Sequence, residues 1–443
     1  MTDTFFKKSV CHYFLCYNLF FGLEINQEID LNNKRIAVVG GGPAGIMAAI
    51  AASTGSSNVI LIEKNSSLGK KLLMTGKGRC NLTNDCDLEA FLQRFSKNGQ
   101  FLRDSFKIMF NSQLVSFFED RGLKMKVERQ KRVFPVTDRS SSVLRILENE
   151  LKKNKVKIIT DTGINSVLVK DGKVSGVLSN IGRSFECDSL ILATGGVSYK
   201  NTGSDGEGIK VAEALGHKIV QLRAGLVPLI VKQKFIKDLE GLSLKNIRLL
   251  FNAGKKKVIS DVGEMIFTKN GISGPLVLTL SCSIVDFLKD GYHVNCSVDL
   301  KPALSKDQLL KRFFKDVSDH PKKSIKGILK DYLPERLICT FLDLLNIPHE
   351  EKISHINRKV REDLLDMFKG FSFDIERGES IDFGMITQGG VSLKDVSPKT
   401  MESRIVKGLY FAGEMLDIDA DTGGFNLQAA FSTGFLAGLS SIS

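Results

Sequence analysis

Between Arg35 and Asn65 the chain reads RIAVVGGGPAGIMAAIAASTGSSNVILIEKN, and few folds accommodate that order of residues. A short apolar run, Lys34 to Val39, breaks into Gly40-Gly41-Gly42-Pro43-Ala44-Gly45. A stretch of small residues follows, and a second apolar run, Asn58 to Ile62, stops at Glu63. The glycines have the spacing G-x-G-x-x-G in the context that gives this motif meaning, with a strand before it and a helix after it. Gly40 permits the tight turn, Gly42 lets the backbone approach a pyrophosphate, and Gly45 lets the helix lie close on the strand. The helix start turns unpaired N–H groups and the positive end of the helix dipole toward phosphates. Glu63 comes 23 residues after Gly40, where a carboxylate accepts hydrogen bonds from adenosine ribose hydroxyls and repels a 2′-phosphate. Strand, glycines, alanine-rich helix, strand and acid together specify a dinucleotide clamp on a parallel α/β sheet.

Three later segments indicate which dinucleotide. CDSLILATGG (Cys187 to Gly196) is a buried strand that breaks into a Thr-Gly-Gly turn. GLYFAGEMLDIDADTGGFNLQAAFSTGFLAG (Gly408 to Gly438) repeats the strand–turn–helix logic near the C-terminus. Its helix opens at Gly423-Gly424 and presents a second N-terminus to a ligand, with Asp417 or Glu414 on ribityl hydroxyls. LGKKLLMTGKGRCNLTN (Leu68 to Asn84) follows the acid directly, and its glycines and polar groups read as a loop wrapped on a ligand rather than a crossover helix. A nicotinamide needs no second clamp at the far end of the chain. An extended FAD does, because its ribityl and isoalloxazine must be held as well as its adenosine. No second G-x-G-x-x-G follows a strand, so an NAD(P)H donor would dock over the flavin or on inserted domains.

These motifs, with RVFPVTDRSSSVL (Arg132 to Leu144), GSDGEG (Gly203 to Gly208), LVPL (Leu226 to Leu229), NGISGP (Asn270 to Pro275) and TMESR (Thr400 to Arg404), occur in an order that resembles the BaiN/YhiN-type NAD(P)/FAD-dependent oxidoreductases, also called aminoacetone-oxidase-like. The resemblance runs from about Lys34 to the C-terminus. It implies an α/β fold: a Rossmann-type FAD-binding domain, discontinuous in sequence, with an inserted small β-barrel and a helical subdomain. It also implies non-covalent FAD, NAD(P)H as electron donor and a small organic acceptor, such as an activated C=C. The expected cofactor-binding residues are Gly40, Gly42, Pro43, Ala44, Gly45, Glu63, Lys64, Lys70, Lys71, Gly78, Arg79, Cys80, Asn81, Ile164, Ala193, Thr194, Gly195, Gly413, Glu414, Asp417, Gly424, Asn426, Leu427 and Gln428. Arg79 is expected on the pyrophosphate or on a substrate anion. The chain departs from the family pattern at Lys77, Phe425, Gln388 and Lys269, where the family favours glycine, tyrosine, a small residue and histidine. No catalytic acid or base is assigned.

Periodicity divides the chain in the same way. An N-terminal extension, 1–33, contains the apolar run SVCHYFLCYNLFFGL, too short to span a bilayer; it reads as a segment outside the fold or an early start codon. FAD-binding residues 34–217 follow. Short alternating runs over 218–303 read as a β-barrel-like insertion. Helical spacing with i, i+3, i+4 apolar residues covers 304–369. FSFDI and FGMITQGGV then return the chain to the first domain over 370–443.

The formal charge is +12, but 44 of the 62 basic residues are lysines spread along the chain, without interleaved aromatics. They read as solvated faces, so a small-molecule substrate is expected and nucleic acid is not. Eight cysteines without a C-x-x-C pair, and six scattered histidines, argue against a metal and for reduced thiols in a cytoplasm. Cys80 and Cys86 lack the C-x4-C spacing of a redox pair, and no membrane segment is expected. Two alternatives stand beside the reductase: a flavoprotein acting on tRNA, and a non-catalytic flavin-binding interaction protein.

Overall fold

The computed structural model describes residues 33–380 and 384–443; the expectation for the N-terminal extension therefore lies almost wholly outside the described residues. The chain divides into two compact units, one running to Ala224 and resuming at Met385–Ser443, the other Gly225–Gly384.

The first unit is built on a five-stranded parallel sheet of β1 (Ile36–Val39), β2 (Val59–Ile62), β3 (Lys157–Ile159), β4 (Ser189–Leu192) and β5 (Leu409–Phe411), in the order β5-β4-β1-β2-β3. Apart from Ile60, each residue of β1, β2, β4 and β5 is buried, as expected for a parallel sheet covered on both faces. Helix α1 (Pro43–Ala52) follows β1, α2 (Glu207–Ala214) follows β4, and α3 (Phe425–Ile442) follows β5. Helices α1 and α3 touch backbone to backbone. A Cβ on Gly434 would lie 2.2 Å from the Ala44 carbonyl oxygen, so only hydrogen fits there. The alanines of α1 serve this contact. A chain end thereby packs on the first glycine turn and fixes the position of both helix N-termini on one edge of the sheet.

The second unit contains a closed barrel. Strands Ser243–Ala253, Gly263–Thr268, Gly271–Ser273, Leu229–Val231, Phe371–Gly378 and Val294–Asp299 pair in that order, all antiparallel, and the last pairs again with the first. Closure leaves no edge in the ring. Helices Lys306–Asp319, Glu335–Leu344 and Arg358–Gly370 share one core with it, through Phe313, Phe341 and Phe368 beside Phe371 and Phe373 of the barrel. Two sequence readings change here. Phe371–Gly378, containing FSFDI, closes the barrel instead of returning to the first unit, because its alternating buried residues face the barrel core. Ile219–Gly225, read as the start of the insertion, pairs with Ile386–Val391 in a two-stranded sheet. Among the described residues no helix is long and apolar enough to cross a membrane.

Candidate functional site

At the C-terminal ends of β1, β2, β4 and β5 the first unit opens a cleft with about 1430 Å³ of atom-free space, its mouth included. This is where open parallel sheets bind ligands. Sixteen of the residues expected from sequence line it: Gly40, Gly42, Pro43, Ala44, Glu63, Lys64, Lys70, Lys71, Ile164, Ala193, Thr194, Gly195, Gly413, Glu414, Asn426 and Leu427.

The N-terminus of α1 has no side-chain cap and no acid in its first turn, and Pro43 occupies its first position. A Cβ added to Gly42 would meet nothing within 4 Å, so the turn faces open space. Beside it, Glu63 is buried and accepts three hydrogen bonds, two of them from backbone. Its Oε2 accepts from the Gly41 N–H at 2.6 Å, and its Oε1 accepts from the Asn65 N–H at 2.7 Å and from Asn65 Nδ2 at 2.6 Å. Of the roughly four lone-pair directions of a carboxylate, these three bonds leave one for a ligand hydroxyl. On the β4 wall the Thr194 hydroxyl is buried without a partner among the described residues. A buried polar atom of this kind is costly unless a ligand or water satisfies it.

Further along, Glu414 leaves β5 and forms a compact network. Its Oε2 accepts from Lys71 Nζ at 2.6 Å. Its Oε1 accepts from the Thr387 N–H at 2.7 Å and from Ser198 Oγ at 3.0 Å. Lys71 also donates to Ser198 at 2.6 Å. Of the two acids considered for the ribityl hydroxyls, Glu414 is the one on the cleft wall. Asp417 lies off it, held by Asn98 Nδ2, which donates to its carbonyl oxygen at 2.9 Å. Burial, and then the nearby Asp419, pushes the Asp417 carboxyl above its ordinary value.

Seven other expected residues are also outside the lining, and each has a structural task. Gly45 sits where a Cβ would strike the Gly40 carbonyl oxygen at 1.9 Å. Gly78 is an exposed turn glycine. The Arg79 guanidinium pairs with Glu128 and with Asp138, and lies 4.3 Å from the Phe134 ring centroid. It thus anchors its loop to the Met125–Val127/Arg132–Pro135 hairpin. Cys80 is buried, and desolvation pushes its thiol up to about 12, so it offers no thiolate at neutral pH. Asn81, with its amide oriented to satisfy both ends, donates to the Thr83 carbonyl at 3.2 Å and accepts from the Gly424 N–H at 3.1 Å. It therefore caps the approach to α3. Gly424 presses on the Thr83 backbone. Buried Gln428 accepts from Thr83 Oγ1 at 2.6 Å and donates to the Met109 carbonyl at 3.2 Å. Phe425 packs edge-on against Phe91, with centroids 4.7 Å apart.

The sequence reading missed several lining residues: Asn65, Thr202–Asp205 with Glu207 and Gly208, and Met385–Thr387. GSDGEG was a usable signal, since two glycines around an acid after a strand exit mark a loop built for close approach. Nothing local marked Thr387. Its importance comes from the Val197 N–H, which donates to its Oγ1 at 2.7 Å across a long sequence separation.

A parallel sheet whose first and last βα turns meet in one cleft, with an acid at the end of β2, defines a Rossmann-type flavoprotein oxidoreductase. The chain belongs to the HI0933-like family, whose Rossmann-domain model matches residues 34–440. It is 35% identical over 408 residues to a 3-dehydro-bile acid delta(4,6)-reductase of Clostridium scindens, covering 91% of this chain and 98% of that protein. It is 30% identical, again over 408 residues, to a ribosomal RNA dihydrouridine synthase of Haemophilus influenzae, covering 91% and 97%. A similar solved structure is a 3-ketosteroid delta1-dehydrogenase of Sterolibacterium denitrificans in complex with a steroid dione. It has a TM-score of 0.50 at 13% identity and covers 93% of this chain and all of that one, a likeness of fold alone.

Proposed function

We propose that this protein is an FAD-dependent reductase that takes electrons from NAD(P)H and saturates a C=C bond conjugated with a carbonyl. The observation that carries the reading is the single cleft walled by glycine turns from opposite ends of the sequence, with an ion-paired acid, Glu414, between them. In this reading α1 and Gly42 face the diphosphate, Glu63 takes a ribose hydroxyl, and Glu414, oriented by Lys71 and Thr387, takes the ribityl chain. Flavin, when bound, supplies a hydride acceptor and donor. The chain's own residues hold it and exclude water.

The substrate class follows from what the two relatives' names have in common. A delta(4,6)-reductase of 3-dehydro-bile acids and a dihydrouridine synthase both act on a double bond in conjugation with a carbonyl. Such a reduction consumes NAD(P)H and one proton: hydride adds to the carbon remote from the carbonyl and the proton to the carbon next to it, leaving NAD(P)+ and the saturated product. The small acceptor is our first reading. An RNA substrate is the second, favoured by the second relative and by the +12 charge.

The test is anaerobic. NADH and NADPH are each added to the yellow holoprotein, and bleaching is followed by reoxidation with a 3-oxo-4,6-diene steroid or with ribosomal RNA. Bleaching by one nucleotide and recovery with the steroid is the expected result. Bleaching by dithionite but by neither nucleotide would remove the donor assignment. Recovery with RNA alone, lost at raised salt as phosphate contacts are screened, would replace the first reading with the second.

A further inference from the structure

The cleft has a bridge across it at the Glu63 end. One abutment is the exit of β2, Glu63–Asn65. The other is Thr202–Glu207, which runs from the β4–α2 connection into the first residue of α2. Both segments line the cleft. They join through Asn65 Nδ2, which donates to the Thr202 carbonyl at 3.0 Å, and through Lys64, whose ammonium binds the Asp205 carboxylate and Glu207 Oε2, the latter at 2.8 Å. The β2 abutment is rigid, because Glu63 holds Asn65 at two donors and Lys70 Nζ donates to Asn65 Oδ1 at 3.0 Å. The other abutment has joints: Gly203 at φ +98° and Gly206 at φ +84° flank Ser204 and Asp205. At Gly203 a Cβ would also lie 2.5 Å from Asn65 Nδ2, so the closed bridge requires glycine there. Desolvation works against the charge on Lys64, but its hydrogen bonds to Asp205 and Glu207 prevail and hold its pKa above the ordinary lysine value.

We infer that Lys64, Asp205 and Glu207 form a latch over the adenosine end of the cleft, and that its opening sets the rate at which the cofactor leaves. The inference rests on the FAD reading of the cleft. The pairs suit a latch. Their side chains are 30% exposed at Lys64, 33% at Asp205 and 55% at Glu207, so they are weak, reversible and screened by salt. Two glycine joints let one side swing while the β2 side stays fixed. Lys64 itself was expected from sequence to touch the cofactor. Lys64 lines the cleft, and its ammonium has two carboxylate partners; the two roles are distinguished by the sign of an effect.

The experiment measures FAD release from the holoprotein by the rise of free-flavin fluorescence after dilution, at low and at about 1 M salt. Lys64→Met should accelerate release about three- to fivefold at low salt, the range of a partly exposed ion pair, and the difference should vanish at high salt. Asp205→Asn with Glu207→Gln should also accelerate release. If Lys64 held a phosphate directly, removing its competing carboxylates would slow release, and that outcome overturns the latch. So does wild-type release in both variants. The reversed pair, Lys64→Glu with Asp205→Lys, should recover part of the wild-type rate, which separates a latch from general damage. Wild-type protein that neither carries flavin nor takes it up would instead sink the FAD reading itself.

Discussion

The Glu63 carboxylate accepts the Gly41 N–H at 2.6 Å, tying the acid at the end of β2 to the middle of the glycine turn after β1. The same side chain that we propose takes a ribose hydroxyl therefore also sets the shape of the turn. Glu63→Ala should remove both and lower FAD retention about 100-fold or more, since a buried charged acceptor with three donors is lost. Glu63→Gln should be intermediate, because an amide has only one acceptor oxygen for those donors. FAD titration by fluorescence quenching measures both. Equal affinity of wild type and Glu63→Ala would remove Glu63 from the site.

A second prediction concerns Lys71 and Glu414, whose side chains are 23% and 21% exposed. Removing one member leaves the other uncompensated, which costs more than the pair itself contributes. Glu414→Ala should bind FAD less well than Glu414→Gln, and Lys71→Met with Glu414→Gln together should be milder than the sum of the two single changes. Strict additivity in the affinities would show that the two side chains act independently.

How far the sequence disclosed this site depended on whether a residue's task was local. The glycine turn, Glu63 and, in the C-terminal segment, Gly413, Glu414, Asn426 and Leu427 were legible as cleft lining because their placement follows from backbone geometry within a few residues. Arg79 was misleading: glycines beside an arginine looked like an anion loop, but its partners Glu128 and Asp138 lie far along the chain and could not be paired in advance. Gln428 and Asn81 were expected on the cofactor; both lie off the cleft lining, where they join the Thr83 segment to α3. The barrel's membership was equally non-local. FSFDI alternates as any half-buried strand does, and only closure against Val294–Asp299 assigns it. Ile386–Val391 and Ile219–Gly225 find each other across the whole inserted unit.

A third prediction uses His217, which is 2% exposed. Ser403 Oγ accepts from the N–H groups of Ile405 at 3.0 Å and Val406 at 2.9 Å, so its own proton goes to His217 Nε2 at 2.7 Å. That leaves Nδ1–H to donate to the Ala212 carbonyl at 3.0 Å. The ring is therefore held neutral, and burial keeps its pKa below the ordinary value of 6.5. With the folded pKa depressed, the unfolded chain takes up a proton first as the pH falls. This group's stabilisation is then complete above pH 6.5 and erodes below it, by at most about 1.4 kcal/mol per pH unit. His217→Gln, which keeps a donor and an acceptor but does not titrate, should flatten the fall in thermal midpoint between pH 7.5 and 5.5. An unchanged pH profile would rule out this assignment.

The last prediction returns to the contact between helices α1 and α3. Gly434 of α3 lies so close to α1 that a Cβ would come within 2.2 Å of the Ala44 carbonyl oxygen and 3.0 Å of its Cα. Neither is the end of a flexible side chain, so backbone must move to admit even one methyl group. Gly434→Ala should therefore destabilise the first unit by about 1–3 kcal/mol, the usual cost of overpacking, although alanine is the better helix former by about 1 kcal/mol. The shift would fall on Ala44, in the first turn of α1 and on the cleft wall. FAD affinity should fall along with the thermal midpoint, though the substituted residue does not line the cleft. Gly291→Ala is the control: it is a glycine at φ +82° in the second unit with no atom near its would-be Cβ, and it should strain its own turn while leaving FAD affinity unchanged. Loss of stability without loss of affinity in Gly434→Ala would mean that the helix contact supports the fold but does not set the geometry of the glycine turn.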